Sequence, residues 1–246
     1  MPRKQRQRSE TDIYHVMLRG INHQYIFEDD DDYSKFLELI IKYKEKTNTV
    51  IYSYCLMNNH IHLLVKSINI SSFVRKIAAE YVCWFNWKYN RSGGLLQDRF
   101  KSEPVENDKY FLTVLRYIHN NPVNAGITDN VDKYKYCSYH DYVDHRFNCI
   151  TDVNFALGML SQKQFINYHN KASNDNLMDI DKTHRITDTN AIVLIKKISN
   201  ISNLSEIYAL SLNNRNASLK AMKKEGLSVR QIERLTGLNR GVVLKA

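Results

Sequence analysis

His60 and His62 flank Ile61 within the apolar run "YCLMNNHIHLLV", Tyr54 to Val65. Residues two apart on a strand project from the same face, so the two imidazoles would lie side by side while Ile61, Leu63 and Val65 face a core. Two adjacent imidazoles suit a divalent metal. They equally suit a solvated pair on an open sheet face, and spacing alone does not decide between the two. A second pair, Tyr117 and Asn121, occurs in "LTVLRYIHNNPV". Four residues on a helix return to within about 40° of one direction, so a phenol and an amide oxygen would be presented together. His119 points about 200° away from Tyr117 and reads as structural.

These pairs need a strand and a helix to hold them. "DIYHVMLR", from Asp12 to Arg19, reads as a first strand ended by Gly20. "FEDDDDYSKFLELIIKYKEKTN" reads as a helix whose opening acids favour the positive end of the macrodipole, the alternative being a metal site. Val50 to Met57 and His60 to Lys66 form a hairpin across Asn58 and Asn59, residues that tolerate positive φ. Ser71 to Asn90 is a second helix with Ala78, Val82, Phe85 and Tyr89 along one stripe. Its other aromatics, Tyr81, Trp84 and Trp87, suit either core packing or base stacking. "LLQDRFKSEPV" is a basic strand on which Arg99 and Lys101 alternate with Phe100, and "ENDKYFLTVLRYIHNN" is a third helix stopped by Pro122. The expected fold is α+β, a ferredoxin-like antiparallel sheet with helices packed on it, closing near residue 148.

Residues 149–186 read as a helical extension and linker, dense in Asn, Asp, Ser and Thr after Lys171. Residues 187–246 read as helical, ending in "LSVRQIERLTGLNRGVVLKA". There Ser228 and Gln231 form a capping-box pair and Gly237 marks a turn. This end resembles a helix-turn-helix, with Arg230, Asn239, Arg240 and Lys245 as candidate DNA contacts, although Glu233 stands where such motifs usually carry a small residue. A plain helical hairpin is the alternative.

"YHVMLRGINHQYIF", "MNNHIHLLV", "LLQDRFKS" and "RYIHNNPVNAG" occur in that order over residues 12–148. Together they resemble the REP-associated tyrosine transposases, within the single-tyrosine HUH transposase and endonuclease superfamily. The resemblance implies the HUH fold, with His60, His62 and Asn121 as ligands to magnesium or manganese and Tyr117 as the nucleophile. It implies cutting and rejoining of single-stranded or hairpin DNA through a 5′-phosphotyrosine and a free 3′-hydroxyl, without a nucleotide cofactor. Where family members often carry a basic residue after "NPV", this chain has Asn124. Related transposases include dimers that share active sites, so the resemblance leaves a homodimer open.

A formal net charge of +9 and a pI near 9.2 favour a polyanionic partner. Arg19, Arg99 and Lys101 are candidate DNA contacts, with Arg3, Lys4, Arg6 and Arg8 of the basic amino terminus. No secretion signal or bilayer-spanning stretch is expected, and Cys55, Cys83, Cys137 and Cys149 lack CxxC spacing, so the expected location is cytoplasmic and nucleoid-associated. The competing function is a catalytically inert or domesticated DNA-binding regulator acting through the carboxy-terminal helix-turn-helix.

Overall fold

The computed structural model describes residues 6–97, 99–144, 150–171, 177, 188–227 and 229–245. The chain divides into two compact units, residues 1–178 and 179–246.

Strand β1 (Ile13–Arg19) leads to helix α1 (Asp30–Lys46), then to β2 (Val50–Met57) and β3 (His60–Lys66). Helix α2 (Ile70–Lys88), β4 (Lys101–Pro104) and α3 (Asp108–Asn124) follow. The sheet order is β2-β3-β1-β4 with every neighbour antiparallel, the ferredoxin-like arrangement expected from the pattern.

Alternation along β1 and β3 gives the sheet two different faces. Val16, Leu18, Ile61, Leu63 and Val65 pack with Phe36 and Leu39 of α1 and Phe73 and Ile77 of α2. Ile13 and Leu64 face the other way, into a core with Val114, Leu115 and Ile118 of α3. Thus α3 lies on the opposite side of the sheet from α1 and α2.

The acids before α1 start that helix. Asp29 Oδ1 accepts from the Asp31 and Asp32 amides at 3.1 and 3.2 Å, and Asp32 returns a bond from the Asp29 amide. Lys88 at the end of α2 clamps Asp29 and Asp32 at 2.6 and 2.9 Å. Among the described residues, no group of three or more His, Cys, Asp or Glu side chains is placed to hold a metal.

Four local expectations are corrected. The Asn58–Asn59 turn has no positive φ; its carbonyls are instead held by the Ile26 and Gly20 amides at 2.7 and 2.8 Å. The buried stripe of α2 is Ile70, Phe73, Val74, Ile77, Tyr81 and Phe85, so Tyr81 is core while Trp87 is 79% exposed. Helix α3 runs through Pro122 to Asn124, because so near the end the ring forgoes one main-chain bond; the Ala125 and Ile127 amides still cap the Asn121 and Pro122 carbonyls. Regular pairing of β4 begins only at Lys101. Leu96 bridges Gly20 and Lys101 pairs with Met17. Five steps of chain therefore oppose three, and Arg99 and Phe100 sit in the excursion between them.

Helices α4 (Tyr139–Val143), α5 (Asn154–Leu157) and α6 (Gln162–Asn170) extend the core around α3. Phe165 of α6 stacks on Tyr142 with 4.7 Å between ring centres. The second unit comprises α7 (Asp188–Ser199), α8 (Leu212–Lys224), α9 (Val229–Thr236) and α10 (Arg240–Lys245). Its core includes Ile195, Leu219, Met222, Ile232, Leu238 and Val243. Gly237, at φ +73°, makes the α9–α10 turn where a Cβ would also lie 2.9 Å from the Tyr208 hydroxyl. No described helix is long and apolar enough to cross a membrane.

Candidate active site

The α3-facing side of the sheet carries His15 and Arg19 from β1 and His60 and His62 from β3. Met17 pairs with His62 and Arg19 with His60, so these side chains share one face by register. Above them α3 lowers Tyr117. Ring centres are 5.1 Å apart for His60 and His62, 5.8 Å for His62 and Tyr117, and 5.8 Å for His15 and Tyr117. Both histidine Nε2 atoms and the phenol oxygen are buried, and Tyr117 is 4% exposed.

Hydrogen bonds restrict which imidazole nitrogens can bind a cation. His60 Nδ1 lies 2.6 Å from Asn59 Oδ1. An amide oxygen only accepts, so His60 donates from Nδ1 and keeps a lone pair on Nε2. His62 Nδ1 lies 2.9 Å from His15 Nε2. When His62 is the donor, its Nε2 also carries a lone pair. Asn121, 3% exposed, donates from Nδ2 to the Tyr117 carbonyl at 3.2 Å, so Oδ1 is the atom it could offer a cation. Two neutral imidazoles and a neutral amide oxygen fit a divalent cation of borderline hardness.

Burial keeps the His15 and His62 rings uncharged. It lowers the His15 pKa to about 3. Burial lowers that of His62 well below its ordinary value, and the nearby His60, His15 and Arg19 charges add to the effect. Neutral rings are the metal-binding form.

His119 is elsewhere, as its helical angle implied. Its Nδ1 pairs with His169 Nε2 and its Nε2 with Ser138 Oγ, both at 2.9 Å. His169 Nδ1 donates to the Phe165 carbonyl at 2.9 Å, so the proton positions along this buried chain are determined. It ties α3 to α6.

His15 was not singled out by residue type. A lone histidine in an apolar strand reads as core, and only its period-two relation to Met17 and Arg19 places it on the α3-facing side. Of the candidate DNA contacts, Arg19 is half-buried opposite His60, and Arg99 and Lys101 are exposed. Asn239, Arg240 and Lys245 are exposed in the second unit. Arg3, Lys4, Cys149 and Ser228 lie outside the described residues, as does the Arg230 side chain.

Residues 9–121 match the family described as "Transposase IS200 like". Among solved structures, the chain is similar to one described as the REP-associated tyrosine transposase bound to a REP hairpin. The TM-score is 0.52 at 20% identity, over 62% of this chain and 93% of that one. A search of curated protein sequences finds no match.

Proposed function

From the match of residues 9–121 to the family described as "Transposase IS200 like", we propose that the protein cuts and rejoins single-stranded or hairpin DNA with Tyr117 as its nucleophile. The observation that carries this reading is the approach of the Tyr117 ring to His62, 5.8 Å between centres, inside one chain.

In the proposed reaction, the Tyr117 phenol oxygen attacks a backbone phosphorus in line. The P–Oη bond forms, the P–O3′ bond breaks, and the departing 3′-oxygen takes up a proton to become a 3′-hydroxyl. The phosphotyrosyl link keeps the bond energy, so another 3′-hydroxyl can reverse the step and join strands. A divalent cation bound by His60 Nε2, His62 Nε2 and Asn121 Oδ1 would polarise a phosphate oxygen and favour the phenolate, since a phenol is ordinarily protonated below about pH 10. Magnesium or manganese is the ion the family resemblance implies. Arg19, opposite His60, would position the phosphate. Burial of Tyr117 screens the covalent link from water, and a local shift of α3 would admit the DNA.

We extend the proposal to α9 and α10 as an accessory DNA contact, supported by exposed Arg240 and Lys245 at the end of a two-helix unit turned at Gly237. If this contact were the whole function, the protein would be a regulator with an inert first unit.

Incubation with labelled DNA hairpins and manganese separates the two. Strand transfer predicts an SDS-resistant protein–DNA adduct; a regulator predicts retarded DNA and no adduct.

A further inference from the structure

On the far side of β1 from the histidines, a cavity of about 300 Å³ opens between α2 and the segment entering β4. Leu18, Val74 and Phe100 form part of its wall, and Arg6, Arg75 and Arg99 rim it. The Arg6 guanidinium lies 3.6 Å from the centre of the Phe100 ring. It is fixed there by bonds to Ser71 Oγ and the Phe100 carbonyl, both at 3.2 Å.

The three guanidiniums repel one another. Burial and the charges of Arg99 and Arg75 all lower the Arg6 pKa. None of the ion pairs among the described residues joins a carboxylate to any of them. Converging arginines with no acidic partner among the described residues leave a position where an anion relieves the repulsion, and their planar forks match phosphate oxygens. The volume is at the lower end of ligand pockets, roughly 300–1,000 Å³. That admits a nucleotide-sized group, and the apolar wall suits a sugar or base. A duplex, whose bases are paired inside, cannot present a base to it.

We propose that this cavity is a subsite for one phosphate of single-stranded DNA, with the neighbouring sugar or base against Leu18, Val74 and Phe100. The proposal rests on the strand-transfer reading for its ligand. Leu18 precedes Arg19, which pairs with His60, so the cavity and the candidate active site lie on opposite faces of the same stretch of β1.

The test uses the full chain and a 5′-labelled single-stranded oligothymidine in EDTA, followed by fluorescence anisotropy. Arg75→Ala and Arg99→Ala should each weaken binding about five- to tenfold and lower the salt slope by about 0.7. Lys76→Ala, exposed on α2 outside the cavity, should change it less than about twofold. With 5-iodouracil in the oligonucleotide, photocrosslinks should map to the peptide containing Phe100. Arginine variants that bind like Lys76→Ala, or crosslinks that map elsewhere, would overturn the subsite. Equal losses on a duplex of the same length would overturn its preference for single strands. Adduct formation by wild type, measured in parallel, separates the two readings. An adduct without an arginine effect removes only the subsite, whereas an arginine effect without an adduct removes only strand transfer.

Discussion

The ring of Tyr117 stands at 90° to that of His62 with 5.8 Å between their centres, so a helix and a strand more than fifty residues apart in sequence bring a phenol to an imidazole within one chain. Helix α3 can do this because Val114, Leu115 and Ile118 anchor it to the sheet face that Leu64 and the two histidines share. The same juxtaposition sets what substitutions should do.

Replacing His60 or His62 with Ala should lower metal-dependent cleavage by at least about a hundredfold, since in the proposed site each would supply one of few ligands. Anisotropy with the same DNA should change less than about twofold, because binding depends on arginines and lysines elsewhere. Cleavage that survives both substitutions would exclude these histidines as ligands.

His15 should matter through His62. With leucine at position 15, His62 Nδ1 loses its partner, and manganese affinity measured by calorimetry should fall about 10- to 100-fold. With His62 as donor, His15→Gln places an accepting amide oxygen at the His15 Nε2 position and should restore most of that affinity. Equal affinities for the Leu and Gln variants would contradict a positioning role.

The contrast between His15 and His62 shows what could be read in advance. The HxH spacing is local, so strand periodicity sufficed to bring His60 and His62 together. His15 joins them only through the β1–β3 register, a long-range relation that no single segment carries. Likewise His169 meets His119 from fifty residues away, and its role becomes visible only once α6 packs on α3. The α2 stripe was read one position off for a simpler reason. Aromatics on neighbouring helical faces look alike until the sheet selects Tyr81 and leaves Trp87 outside.

Acid should destabilise the fold. Burial lowers His15 to about 3 and His169 to about 4, so between those values and about 6.5 the unfolded chain binds protons that the folded chain refuses. Their contribution is intact above about pH 6.5 and is lost as pH falls below it, by up to about 1.4 kcal/mol per ring per pH unit. Urea unfolding at pH 5 should give at least about 2 kcal/mol less stability than at pH 7.5. Identical stabilities would mean the rings are accessible to protons in the folded state.

Phe165→Ala should cost about 3–5 kcal/mol, because it empties a fully buried ring site against Tyr142 and His119. Thermal unfolding of the full chain measures this. A loss below about 1 kcal/mol would mean that α6 does not belong to the core beneath α3.

The central claim is that Tyr117 forms the covalent link to DNA. Wild-type protein is incubated with a DNA hairpin and manganese, denatured and digested, and the DNA-bearing peptide is identified by mass spectrometry. The expected result is a nucleotide attached through its 5′-phosphate to Tyr117, with no adduct from Tyr117→Phe. A nucleotide on another residue, or an undiminished adduct from Tyr117→Phe, would contradict it.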